Sequence, residues 1–239
     1  MGSGEQGARG STLVVGAGLT GAALAYILAR QRVPTFLVSV DRPASQGTAL
    51  ASGIVHGVGP PGEPYAWVRM PPDAHARAAE RALAGYRLLQ DVLLVAGRGC
   101  GFSRTEHRLV PPLSGGAEWL EKTVSLLADN GWPVTLEEAQ GGPVLVRRAD
   151  ALVNPRRLTF ELLRLARAGG ARLHLSTPFR GVVAQSEREL HVRVGDETIK
   201  VQRVLWAAGR AFPDGSRLVP VRACLVLHQL LGPGRRTLE

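Results

Sequence analysis

Three glycines, Gly16, Gly18 and Gly21, follow the apolar run "TLVV" at residues 12–15 and open the segment "LTGAALAYILAR". A G-x-G-x-x-G placed between a strand and a helix is suited to cradling a dinucleotide. Gly16 permits the tight turn, Gly18 lets the backbone approach a pyrophosphate, and Gly21 allows close packing of helix on strand. The loop Gly16, Ala17, Gly18, Leu19, Thr20 and Gly21 then presents backbone N–H groups at the positive end of the helix dipole, where phosphates bind. Asp41 ends the next apolar run 20 residues after Gly21, and an acid there can hydrogen-bond a ribose 2′-hydroxyl. Arg42 beside it suits an NADP 2′-phosphate, an adenine ring or solvent, so the motif alone does not choose between nicotinamide and flavin dinucleotides. A ligand-free Gly-rich turn would require neither the second strand nor Asp41.

These residues need rigid elements to hold them. Residues 12–15 read as a short buried strand, and Leu19, Ala22, Ala23, Tyr26 and Ile27 have helical spacing over 19–30. "RVPTFLVSV" predicts a second strand, with Pro34 tolerated at its start. Strand, helix and strand make one βαβ unit, whose strands are parallel neighbours joined by a right-handed crossover. From Ser39 to Pro72 the chain is rich in Gly, Pro and Ser, and irregular stretches of that length are often functional. Residues 73–95 predict a helix capped by Asp73, and "EWLEKTVSLLADNGW" a helix closed by Gly131. "TLEEAQ" predicts a further short helix start, capped by Thr135. Asn154, Pro155 and Gly169 mark cap, first position and end of another helix, followed by a strand at 171–175. "ELHVRVGDETIKVQ" reads as a hairpin turning at Gly195-Asp196, and "RVLWAAGR" as a buried strand stopping at Gly209. The final 22 residues, "LVPVRACLVLHQLLGPGRRTLE", hold one more strand-like run.

Composition bounds the function. A chain of 239 residues, 45% hydrophobic and 21% charged, is globular, with one large domain or two small ones. The opening "MGSGEQGARG" lacks the apolar region of a secretory signal, and no run of about 18 apolar residues predicts a membrane span. Two cysteines, Cys100 and Cys224, are too few for a disulfide framework and read as small buried hydrophobes, so a cytoplasmic setting is expected. The net charge of +9 is carried almost wholly by scattered arginines, Lys122 and Lys200 being the lysines. Nucleic-acid binding, which wants a patch or stripe, is not expected; a modest attraction for anionic substrates or cofactors is. His56, His75, His107, His174, His191 and His228 have no metal-ligand spacing, so no metal is expected. His174 on an apolar strand reads as a core histidine and His56 as a loop residue. Neither GxSxG nor HExxH occurs, and no side chains mark a catalytic constellation.

Four segments, in order, resemble the D-amino-acid oxidase/glycine oxidase (DAO) superfamily of FAD-dependent oxidoreductases. They are "VVGAGLTGAALAYILA" with "VSVDRP", then "GTALASGIVHGVGPP", then "ALVNPRRLTFELLRLARAGGARLHLSTPFRGVV", and last "RVLWAAGR". The resemblance implies FAD rather than NAD(P), and an α/β fold: a Rossmann-like FAD-binding domain of the DAO type with an inserted, incomplete α+β substrate domain. Residues 11–68 and 146–210 would form the FAD-binding domain, 69–145 the insertion, and 211–239 the start of an incomplete substrate-domain sheet. Gly16, Gly18 and Gly21 would face the pyrophosphate, Asp41 the adenosine ribose, and Arg42 the adenine end. Ala51, Ser52 and Gly53 would pass close to phosphate or flavin, the Phe179 backbone would meet adenine, and Ala207, Ala208 and Gly209 would approach the cofactor where bulk would clash.

The chain departs from the family pattern at Arg210 and at Ala223 in "PVRA", and it stops before the family's remaining substrate-domain segments. The expectation is therefore either a shortened chain or fragment, or an oligomer or partner chain that completes the site. The implied activity is hydride transfer from the amine-bearing carbon of a small amine or amino acid to flavin, the imine then hydrolysing. An NAD(P)-dependent Rossmann oxidoreductase, or an FAD-binding chain without catalysis, are the alternatives.

Overall fold

Thr12–Val15 (β1) and Thr35–Ser39 (β2) are buried at every residue, as strands covered on both faces must be. They run parallel, Leu13 opposite Phe36 and Val15 opposite Val38, joined by helix α1, Leu19–Arg30. Then follow β3 (Ile54–Val55), α2 (Pro72–Ala96), a 3₁₀ turn (Gly97–Cys100), β4 (Ser103–Arg104), β5 (His107–Leu109), α3 (Gly116–Asp129), β6 (Val134–Ala139), β7 (Gly142–Arg147) and β8 (Ala151–Leu152). Helix α4 (Pro155–Ala168), β9 (Arg172–Leu175), β10 (Phe179–Gln185), β11 (Leu190–Val194), β12 (Glu197–Val201) and β13 (Arg203–Trp206) complete the order. This computed structural model describes residues 10–55, 72–109, 116–129, 132–148 and 150–209. They divide into two compact units, one running through Ser52 and resuming at Pro155, the other Gly53–Asn154.

The first unit is built on a four-stranded parallel sheet in the order β13-β1-β2-β9. Side chains alternate across it. Leu13, Val15, Phe36 and Val38 form one core with Val192, Val194 and Val201 of the antiparallel sheet β10-β11-β12. Val14 and Leu37 point to the opposite face, where α1 and α4 pack together. Each such apolar side chain taken from water stabilises by about 1.5–3 kcal/mol. The hairpin of β11 and β12 turns at Gly195-Asp196 as its sequence predicts, with Val194 opposite Glu197 and Gly195 at φ +58. β13 departs from the buried strand expected. Among the described residues it is an edge strand, with Arg203 exposed and Val204–Trp206 half-buried.

In the second unit, Leu120 and Leu127 of α3 pack with Trp132, Val134 and Leu145. Its strands lie in two small sheets, β3-β8-β4 and β5-β7-β6. "TLEEAQ" is not a helix start here but most of β6, paired antiparallel with β7 so that Leu136 faces Leu145. Gly141 and Gly142, at φ +109 and +114, turn the chain between them. Cross-strand pairing therefore overrides the helical propensity of Leu136–Ala139. Helix α2 begins at Pro72, a residue suited to a first helical position, so Asp73 lies inside the helix and not at its cap. The expectations for Gly131, His56, Arg210 and residues 211–239 lie outside the described residues.

Candidate functional site

The glycine loop is fixed by bonds that continue the sheet beyond its strands. Gly16 N–H donates to the Val38 carbonyl at 2.7 Å, and Ala207 N–H to that of Val15 at 2.8 Å. Gly16 sits at φ +111, and a Cβ there would come 2.7 Å from the Ala207 oxygen. A Cβ on Gly21 would come 1.8 Å from the Gly16 oxygen, so helix and turn can meet only without one. Gly18 is the N-cap of α1, extended, and no side chain caps the helix from that position; the first turn carries no acidic residue. With no acid of its own, the positive end of α1 is suited to an anion.

Thr48, which the sequence did not single out, lies against this turn. Its Oγ1 accepts the Leu19 N–H at 3.1 Å and would stand 3.2 Å from a Cβ on Gly18. It sits within the quoted "GTALASG", so a hydroxyl in a small-residue segment was the available signal.

Asp41 follows the end of β2 and is exposed, as is Arg42. Gln46 Nε2 donates to Asp41 Oδ2, a second contact that no sequence motif announces. The Ala44 N–H donates to the Ala17 carbonyl at 3.1 Å, tying this loop to the glycine turn. Ala51 and Ser52 are exposed at its far end. Gly53 belongs to the second unit, where its carbonyl accepts the Val153 N–H at 2.9 Å and its φ is +76.

After β9, Thr177 N–H donates to the Ser39 carbonyl at 2.8 Å, bringing the approach to Phe179 alongside the end of β2. Phe179 is half-buried, its ring edge-on to Trp206 at 5.9 Å between centroids. Ala207 follows β13 half-buried, and Ala208 and Gly209 are exposed. The carboxyl ends of four parallel strands thus gather Gly16–Gly21, Asp41, Arg42, Phe179 and Ala207–Gly209. Open α/β sheets bind their ligands at that end.

The other candidates fall elsewhere. His174 is half-buried in β9 with its ring centroid 6.2 Å from that of Phe36, and Cys100 is fully buried. In the second unit His107 Nδ1 lies 3.1 Å from Asp150 Oδ2, which also accepts from an Arg147 Nη at 3.0 Å. Burial pushes the Arg147 guanidinium below its ordinary pKa, against the opposing pull of Asp150. Among the described residues no three His, Cys, Asp or Glu side chains could hold a metal.

The FAD dependent oxidoreductase model, DAO, matches residues 11–234. The chain belongs to the DAO family. No curated protein matches it in sequence. Among solved structures it is similar to the L-amino acid deaminase from Proteus vulgaris, with TM-score 0.69 and 16% identity, over 87% of this chain and 50% of that one. Glycine oxidase from Geobacillus kaustophilus gives 0.66 and 17%, over 83% and 55%. L-α-Glycerophosphate oxidase from Mycoplasma pneumoniae with FAD bound gives 0.66 and 17%, over 81% and 52%. The DAO chain spans about half the length of these structures. At such identity they share its fold, the expected α/β FAD-binding type.

FAD is the cofactor of the DAO chain, in place of the nicotinamide alternative. The turn fits it: a helix start with no acid in its first turn, and an exposed carboxylate after the second strand.

Proposed function

We propose that the chain binds FAD with the pyrophosphate along Gly16–Gly21 and the adenosine ribose at Asp41, and serves the oxidation of an amine or amino acid at a C–N bond. The observation that carries the binding mode is the gathering of the glycine turn, Asp41, Phe179 and Ala207–Gly209 at one end of one parallel sheet. Bound flavin supplies the two-electron acceptor; the protein supplies orientation and electrostatics. Backbone N–H groups at the start of α1 oppose the phosphate charge. Asp41 accepts from the ribose while Gln46 holds its other side, and Arg42 lies towards adenine. The small side chains of Ala51, Ser52, Ala207 and Ala208, and the lack of one at Gly209, leave the flavin room.

The amine assignment draws support from the names of the deaminase and glycine oxidase among the similar folds. The glycerophosphate oxidase among them makes substrate class the part most in need of test. No described helix is long and apolar enough to cross a membrane. The reading includes a small-molecule substrate and a cytoplasmic setting.

Purified protein should show flavin absorption, and Asp41→Ala should weaken FAD binding by roughly tenfold or more, the worth of a charge-assisted hydrogen bond. Anaerobic addition of glycine, sarcosine or D-amino acids should bleach the flavin bands. Bands that persist through every amine would remove the C–N oxidation and leave the FAD site standing.

A further inference from the structure

The segment from Asp41 to Ser52 contains no helix or strand, yet its course over the glycine turn is fixed at two points. The Ala44 N–H donates to the Ala17 carbonyl at 3.1 Å, with Ala44 buried and at φ +53. A residue other than glycine keeps that left-handed conformation only where its surroundings hold it there. Further along, Thr48 Oγ1 accepts the Leu19 N–H at 3.1 Å. A turn over Gln46–Ala49 closes as the Ala49 N–H donates to the Gln46 carbonyl at 2.8 Å.

Gln46 stands between the two anchors, and its exposed side chain reaches back to Asp41. A carboxylate oxygen only accepts, so the amide turns its nitrogen to Oδ2. That nitrogen carries two N–H groups, and Oδ2 takes one of them. Ala44, Thr48 and Ala49 fix the loop independently of this bond. The bond itself costs the rotamer freedom of a long side chain in water. Its effect is local: it orients an exposed carboxylate and sets a donor directly beside an acceptor.

We propose that Gln46 is a binding residue for the adenosine ribose, forming with Asp41 a donor–acceptor pair matched to two vicinal hydroxyls. Asp41 accepts from the 2′-hydroxyl, and the second N–H of Gln46 donates to the 3′ oxygen. The pair sorts ligands by their sugar. An intact diol satisfies both groups, whereas a deoxy sugar leaves one of them unanswered. The proposal rests on the reading of Asp41 as the ribose acceptor and is independent of the C–N chemistry.

Displacement of FAD from the full chain by ADP, 2′-deoxy-ADP and 3′-deoxy-ADP, read from the flavin signal, tests it. The parent should bind ADP roughly fivefold or more tighter than either deoxy analogue, the worth of one hydrogen bond. In Gln46→Leu the preference for ADP over 3′-deoxy-ADP should disappear, while the preference over 2′-deoxy-ADP persists. Each preference is a ratio taken within one variant. A general loosening of the loop, which is all that a structural role for Gln46 would produce, therefore cancels. A 3′ preference in Gln46→Leu equal to the parent's, or none in the parent, would overturn the proposal and leave Asp41 standing. If Asp41→Ala binds FAD as tightly as the parent, the ribose reading of Asp41 fails and the proposal falls with it.

Discussion

β1 and β2 bury all of their residues, whereas β3, β4 and β8 are two residues long and leave Ile54 and Leu152 about half open to water, at 45% and 42%. The first unit draws its order from a continuous apolar layer on each face of a parallel sheet. The second has a smaller core around Leu145 and a cluster of buried or half-buried polar side chains, Arg147, Asp150 and His107. The difference is one of constraint. In the first unit a single backbone turn is over-determined by neighbours on several strands, so it can present its N–H groups rigidly. In the second, a few side-chain contacts hold short strands in register.

The sharpest way to break that contrast is Gly21→Ala. The added methyl would meet the Gly16 carbonyl oxygen, 1.8 Å away, and no flexible side chain stands there to yield. A cost above about 4 kcal/mol is expected, at the diagnostic end of single substitutions. Amide hydrogen exchange should show β1 and β2 losing protection while β6 and β7 keep theirs, together with loss of flavin binding. Simultaneous loss in β6 and β7 would show that the two units share one stability.

Asp150→Asn probes the second unit. It strips the counter-charge from Arg147, whose side chain is 9% exposed and whose pKa burial already lowers. Leaving a buried cation uncompensated costs roughly 3 kcal/mol or more. The expected exchange pattern is the reverse of the first, with β5 and β7 opening while β1 and β2 stay protected and FAD binding is retained.

The same contrast explains what could be read from the chain. The βαβ unit, its glycine turn and the Gly195 hairpin are local: periodicity and turn chemistry within some thirty residues specify them. The two-residue strands carry too few positions for any period to emerge, and β6 is a strand because β7 pairs with it, despite Glu137 and Glu138 favouring helix. Arg147 and Asp150 reach His107 across some 40 residues of sequence, beyond any motif. At the candidate site, Gly16, Gly18, Gly21 and Asp41 declared themselves by spacing. Thr48 and Gln46 did not, since their contacts with Leu19 and Asp41 depend on how an irregular loop folds back.

The smallest effect compares two helix starts. α1 has no acid in its first turn, whereas α3 carries Glu118 there, its Oε1 2.6 Å from Lys122 Nζ. The hydrogen bond and charge of Lys122 hold the Glu118 carboxyl below its ordinary pKa of 4.5. Its folded pKa is lower than its unfolded one, so the stabilisation is present above the usual glutamate range and is lost as pH falls through the folded value. Glu118→Gln should therefore lower the melting temperature only slightly at neutral pH, the pair being exposed and screened by salt. As pH falls through that lowered value the difference from the parent should close. The converse substitution at α1, Thr20→Glu, brings a carboxylate of its own to the helix start and should compete with the phosphates there, weakening FAD while leaving the helix at least as stable. If Thr20→Glu binds FAD as the parent does, the start of α1 is not where the pyrophosphate lies, and the distinction drawn between the two helices fails.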